Sequence, residues 1–419
     1  MPRVSATVDD NSPKAEPFWP ALLLVLAIVL LPVGRSAEAA IALGAVAGVV
    51  LAWRARGGLA NRGVRLALVL FACYWLAALC SAPAGIAPGK SWQTVGTLLR
   101  FLPFAAFASL ALRGSPAWPR IITAVAAAVT LWLLDAWVQA FTGFSIGGAM
   151  SSERLTGVFG AENLKLGPVL AVLSPFVFVA AQARFGWRGL LGAFVLQLVP
   201  ILLAGSRAGW LMYLLVTLVF VWRETRSPWR FAAWSGVGAA LIALAALVAW
   251  QTSSAFDTRI ARSLLVLGGS ADALDEASAG RLRIWGTAAR MIAAHPLSGV
   301  GVRGFRYAYP VYAQPGDAFV DSAGDEGAAH AHQIVLEVLS ETGIVGLAFW
   351  IVGTGAALRA WRRAARVARQ RAFAPALALG VMCFPLNTHL AFYSAWWGLL
   401  FWWLLALYCA ALAEDDHGA

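Results

Sequence analysis

Residues 119–142, PRIITAVAAAVTLWLLDAWVQAFT, stay apolar for far longer than a strand needs, and one acid, Asp135, interrupts them late. A bilayer core is crossed by about 20 such residues in helical form. The run lacks the period-2 alternation of a barrel strand, so the spanning element it predicts is a helix, which satisfies its own backbone hydrogen bonds in lipid. Working outward, runs of the same kind recur near 17–34, 37–53, 65–82, 95–112, 166–183, 187–205, 208–223, 231–250, 343–361, 373–390 and 396–413. The pattern predicts an all-α polytopic membrane protein of about twelve transmembrane helices. With 60% hydrophobic and 13% charged residues, the composition excludes an ordinary soluble domain.

Twelve spans place both termini on one side, and the short loops identify that side, because Lys and Arg near span ends stay cytoplasmic. Arg54, Arg56, Arg62, Arg65, Arg113, Arg120, Arg184, Arg188, Arg223, Arg226 and Arg230 fall in one set of loops. Arg359, Arg362, Arg363, Arg366, Arg369 and Arg371 fall in the same set, and with Arg3 and Lys14 they make 19 of the 32 basic residues. Both ends therefore read as cytoplasmic. The net charge of +11 is explained by this topology and by anionic headgroups, so no nucleic-acid partner is expected. The polar leader before the first span suits an anchor rather than a cleaved signal. Cys73, Cys80, Cys383 and Cys409 all lie in or beside apolar runs, which indicates neither a disulfide framework nor a metal-thiolate site.

The chain accordingly divides into a nine-helix region over 1–250, a large outer loop with helices over 251–333, and a three-helix region over 334–419. The outer side has two substantial segments, 143–165 and 251–333. In the second, a helix is expected from about Ala279 to Ala294, with Ser278 as its N-cap and His295-Pro296 as its stop. At 100° per residue, Arg281 shares a face with Trp285, Ala288 and Ile292, while Arg283 and Arg290 point away and read as solvated or headgroup-facing. A guanidinium on an apolar stripe needs an anion beside it. Asp275 or Glu276 is one candidate, and an incoming ligand is the other.

Arg207, in LLAGSRAGW, is a second cation at the outer ends of two spans, against the positive-inside tendency. Interfacial snorkelling is its bland explanation. Arg154 and Lys165 add two more on the same side. Several cations at the outer lipid boundary describe a receptacle for a lipid-linked phosphate or diphosphate, which Arg grips as a planar fork.

AAHAHQIVLEVLSETGIVGL, residues 328–347, then brings His332 to headgroup height above a membrane-entering helix. An imidazole can take a proton from a sugar hydroxyl as that hydroxyl attacks, and arginines would stabilise the departing diphosphate. His330 and His389 face the same compartment as weaker candidates, together with Glu337, which either orients His332 or caps; Glu341 reads as a cap. HAH is not the i, i+4 pair of metallohydrolases, so no metal and no cofactor are expected.

SRAGW at 206–210, GRLRIW with HPLSGVGVRGF between Gly280 and Phe305, and HQIVLEVLSETGIVGL from His332 together resemble the O-antigen ligase and polymerase superfamily of bacterial envelope glycosyltransferases. The resemblance covers the C-terminal half well and the N-terminal half only by hydropathy. It implies a GT-C type architecture in the inner membrane, acting at the periplasmic face on undecaprenyl-diphosphate-linked O-antigen without a metal or a nucleotide sugar. It also implies that Arg207, Arg281 and His332 occupy the family's arginine and histidine positions; HQ stands where HN or HS is commoner. A ligase, which joins O-antigen to the lipid A core oligosaccharide, is favoured by the large loop before His332. A polymerase using the same donor is the alternative, and a polyisoprenyl glycolipid flippase is the alternative of another class.

Overall fold

The computed structural model describes residues 18–55, 60–113, 117–150, 154–161, 163–252, 257, 261, 278–320, 325–388 and 391–413. Each apolar run read from the sequence contains a helix, though the run at 373–390 is helical only as far as Met382. The N-terminal part contains α1 (Trp19–Val29), α2 (Ser36–Arg54), α3 (Arg62–Ser81), α4 (Pro88–Leu98), α5 (Phe101–Ala111) and α6 (Trp118–Thr142). A two-residue hairpin, β1 (Phe144–Ser145) with β2 (Gly148–Ala149), follows, then α7 (Leu166–Leu203), α8 (Arg207–Thr225) and α9 (Pro228–Thr252). The rest comprises α10 (Arg281–Ala294), α11 (Phe305–Tyr312), α12 (Ile334–Arg363), α13 (Arg366–Met382) and α14 (Ala395–Ala411).

Among the described residues seven helical segments are long and apolar enough to cross a membrane, fewer than the twelve expected. One reason is that α7 holds two of the predicted runs. A straight helix of 38 residues would be ~57 Å long at 1.5 Å per residue. Yet a Cβ placed on Gly167 would lie 3.0 Å from that of Ala204, so the chain folds back on itself. The reversal is at Gly186, where φ is +62° and ψ −147°, a conformation open to glycine. The remaining difference lies in α1, α8, α13 and α14, which are too short, or too charged at their ends, to stand among the seven.

The bundle is built around α14, whose side chains are nearly all buried. Such a helix, apolar on every side, belongs inside rather than at a surface. In lipid its association rests on packing and on satisfying the few polar atoms it carries. Trp402 stacks on Phe101 of α5, Trp403 Nε1 donates to the Leu24 carbonyl of α1 at 2.8 Å, and Tyr408 OH donates to Ala357 of α12 at 2.7 Å. Tyr74 of α3 donates to the Phe392 carbonyl at 2.9 Å. α9, by contrast, buries almost nothing in the bundle.

The loops at one end form a layer with a small core of its own: Ile284, Ala288 and Met291 of α10 pack on Val300, Phe305, Tyr309 and Ala331. This layer is stitched to the bundle by backbone hydrogen bonds. Ile86 N–H donates to Val300 O at 2.9 Å, Ser91 Oγ to Val302 O at 2.9 Å, and Val302 N–H to Ser81 Oγ at 3.0 Å. Loop 296–300 also wedges into α12, which breaks at Gly343 (φ +64°). There Ile344 N–H donates to Pro296 O at 2.9 Å and Val300 N–H to Ser340 O at 2.8 Å. The interruption expected at Thr342-Gly343 is thus real, and its freed backbone groups are satisfied by the wedge. A Cβ on Gly343 would sit 2.2 Å from Leu297 O, so nothing larger fits.

Three local expectations are corrected. α10 starts at Arg281 with Gly280 as N-cap, and Ser278 Oγ only receives the Leu282 amide at 3.4 Å. Arg290 is not left to solvent: its Nε donates to Tyr312 O at 2.6 Å and its Nη2 to Thr287 Oγ1 at 2.9 Å. Glu341 lies within α12 and does not cap it; its Oε2 accepts the Arg303 amide at 2.8 Å, next to the start of α11.

Candidate functional site

The site is assembled where the loop layer meets the bundle. The α6 terminus supplies its first support. Gln139 Oε1 accepts the amides of Thr156 and Gly157 at 2.9 and 2.8 Å, and Asp135 Oδ1 accepts that of Ile146 at 2.8 Å. Gln139 thus holds the turn next to Arg154 and Asp135 holds the β1–β2 hairpin, so the intramembrane acid of the opening run has a structural task. Leu155 N–H then donates to Leu203 O at 3.3 Å, bringing that turn against the end of α7. Three residues on, Ser206 Oγ caps α8 by accepting Gly209 N–H at 3.2 Å, which places Arg207 in the first turn of that helix.

Arg281, in the first turn of α10, faces this corner. Burial, and then the positive charges of Arg207 and Arg154, hold its guanidinium below the usual arginine range. Among the described residues no carboxylate offsets that charge; Asp275 and Glu276 lie outside them, as does His389. Lys165 has a different engagement. Its Nζ lies 4.4 Å from the Trp396 ring centre, and burial lowers its pKa.

α10 also fixes the histidine segment, since Trp285 Nε1 donates to the carbonyl of Ala331 at 3.0 Å. Gln333 caps α12 by accepting Leu336 N–H at 2.6 Å, and its Nε2 donates to Pro385 O at 3.2 Å. Between these anchors His332 adopts φ +54°, a left-handed backbone uncommon for a residue with a side chain. Its Nδ1 lies 3.1 Å from Thr388 O. A carbonyl oxygen can only accept, so the proton of the neutral ring sits on Nδ1 and the lone pair on Nε2.

His330 packs against it, with ring centres 3.9 Å apart. Its Nδ1 accepts the His332 amide at 3.2 Å and lies 3.6 Å from Glu337 Oε2, a carboxylate with no solvent exposure. Burial, followed by the charges of Arg303, Arg281 and Arg306, lowers His330 to about 3. His332 is also lowered to about 3, first by burial, then by His330 and Arg281, against an opposing pull from the Thr388 carbonyl. Both rings are therefore neutral at physiological pH.

Arg281 is thus within electrostatic reach of Arg207 and Arg154 on one side and of both histidines on the other. Glu337 sits behind His330, closed to solvent, rather than facing a ligand. Arg303 and Arg306 were not singled out from the sequence. Their signal was available, as two arginines three residues apart at the end of the glycine-rich HPLSGVGVRGFR stretch, residues 295–306. Arg306 is engaged by Glu326 at 3.1 Å.

An apolar cavity of about 560 Å³ opens between α3, α12, α13 and α14, bordered by the turn over 383–388. Tyr74, Trp350, Phe373, Phe384, Phe392 and Tyr393 are among its lining residues. The same turn supplies the Thr388 carbonyl that fixes the His332 ring. Polar site and apolar cavity therefore share one loop as their wall.

Residues 192–351 match the family model described as O-antigen ligase. The matched segment takes in Arg207, Arg281, His330, His332 and Glu337 and leaves Arg154, Lys165 and His389 outside. No curated protein matches the chain.

Proposed function

We propose, from the match of residues 192–351 to the family model described as O-antigen ligase, that this chain transfers a glycan from a polyprenyl diphosphate to the core oligosaccharide of lipid A. The observation that carries this reading is the buried Arg281, whose described charged neighbours are cationic, beside a histidine whose free lone pair is fixed on Nε2. The diphosphate of a lipid-linked donor would supply the missing negative charge, held by Arg281 and Arg207 with Arg154 nearby. Its hydrocarbon chain suits the apolar cavity bordered by the turn over 383–388.

In the proposed step the acceptor hydroxyl loses its proton to His332 Nε2 and its oxygen bonds to the anomeric carbon. The bond from that carbon to the diphosphate oxygen breaks, and its electron pair leaves with the diphosphate. A single displacement of this kind inverts the anomeric centre and needs one base and one stabilised leaving group. The low proton affinity of His332, set by burial and by the neighbouring His330 and Arg281, fits this order of events. A bound diphosphate offsets the arginine charges and raises the imidazole pKa, so the base gains strength when the donor is in place. The positive-inside reading puts this face in the periplasm and both termini in the cytoplasm.

The test is transfer by purified protein in nanodiscs, supplied with lipid-linked glycan with and without core glycolipid. Transfer that requires the core and disappears in His332→Ala supports the ligase. Chain growth on the lipid carrier without the core points to a polymerase. Glycolipid movement across the bilayer in His332→Ala, with no transfer by the parent, points to a flippase.

A further inference from the structure

The candidate base itself has a left-handed backbone, with φ +54°. A left-handed residue with a Cβ costs of order 1 kcal/mol or more and persists only where its surroundings enforce it. Around His332 three contacts do so. Gln333 is pinned by Leu336 N–H and Pro385 O, the Ala331 carbonyl is held by Trp285, and the His332 amide is received by His330 Nδ1 at 3.2 Å. The first two fix the flanking residues, whereas only the third acts on His332 itself. The same histidine lies against the His332 ring at 3.9 Å, and Glu337 approaches its Nδ1 from α12 at 3.6 Å.

We infer that His330 is a positioning residue. By accepting the His332 amide it maintains the left-handed backbone that turns Nδ1 of His332 toward Thr388 and leaves Nε2 as the base. The inference rests on the proposed function for its effect on turnover, but not for its effect on the His332 tautomer. An acceptor atom at the Nδ1 position is what the task requires. Asn places an oxygen at that position, Gln places one farther out, and Ala places none. The backbone amide left without its acceptor would be buried and unsatisfied, a loss that relaxes the strained turn rather than the fold.

The test uses the full chain in nanodiscs, carrying His330→Ala, His330→Asn or His330→Gln. Nitrogen-15 NMR of the His332 ring reports its tautomer, and transfer kinetics report kcat and the donor KM separately. We expect parent and His330→Asn to show one tautomer protonated on Nδ1, and His330→Ala and His330→Gln to show a mixture. We expect kcat to fall about tenfold or more in Ala and Gln, with the donor KM within about twofold, and Asn to recover most of the loss, since 1.4 kcal/mol of misplacement is tenfold in rate. Should His330→Ala fail to fold, the ordering of Asn above Gln still decides. The inference is overturned if Asn is no better than Gln, if the tautomer is unchanged in Gln, or if the defect lies in KM alone. A parent without transfer activity would sink the proposed function, while the tautomer comparison would still judge His330.

Discussion

Two arginines near the lipid boundary show what separates a structural charge from a candidate functional one. Arg100, at the break between α4 and α5, lies 3.6 Å from Glu38 Oε2, and that carboxylate also holds Arg35 at 2.9 Å. Here one carboxylate serves both guanidiniums. Arg281 is also largely buried, but the charges it feels are those of Arg207 and Arg154. Under the proposed reading, a fold that supplies a carboxylate for one half-buried guanidinium and sets another among cations leaves the second to an incoming anion. The histidine pair lies beside the second corner and not the first, so charge imbalance and acid–base chemistry coincide.

The largest expected effect tests the chemistry of that corner. His332→Ala lowers kcat by about 10²–10⁴-fold, the usual contribution of a general base, while donor binding survives. Next, Arg281→Ala lowers kcat/KM by about 10–100-fold, the worth of a charge-assisted hydrogen bond to phosphate. Arg100→Ala changes it less than about threefold, because an exposed-side ion pair contributes little. Equal losses in the two variants, measured in the same transfer assay, would erase the contrast.

A third variant probes the wedge that joins the loop layer to the bundle. Gly343→Ala places a Cβ 2.2 Å from Leu297 O and at a positive φ, which costs about 1–3 kcal/mol. The thermal midpoint in detergent falls accordingly. Gly380→Ala, whose added Cβ meets nothing within 4 Å, leaves the midpoint nearly unchanged.

The smallest effect is on pH dependence. His330 and His332 have folded-state values of about 3, below the unfolded value near 6.5. Between these limits the unfolded chain binds more protons, so stability is full above pH 6.5 and is lost as pH falls toward 3. Melting midpoints measured from pH 7.5 to 5 should decline, and the decline should shrink in a variant with Asn at both positions.

Much of this contrast was legible in the sequence, for identifiable reasons. Hydropathy located the membrane-length helices, because in lipid a helix must be apolar over a set length, but not the short α11. The face of Arg281 followed from the 3.6-residue period, and the break at Thr342-Gly343 from a glycine before an apolar run. The count of spans was less secure, since hydropathy divides α7 in two while α13 carries arginines within its helical bounds. What sequence lacked were contacts between distant segments. Thr388 O on His332, Trp285 on Ala331 and Arg303 N–H on Glu341 join residues 38 to 56 positions apart, and no periodicity encodes them. Arg290 was misplaced for the same reason, since its partner Tyr312 lies on the next helix. Arg281 was set apart correctly from Arg283, but its positive neighbours became visible only in three dimensions.

The central claim is that the corner around Arg281 holds a lipid diphosphate, and equilibrium binding of farnesyl diphosphate tests it most directly. The parent protein and Arg100→Ala should bind with similar Kd, and Arg281→Ala about tenfold or more weakly, with farnesol binding weakly to all three. Indistinguishable Kd values for the parent and Arg281→Ala, or equal affinity for farnesol and its diphosphate, would contradict the account.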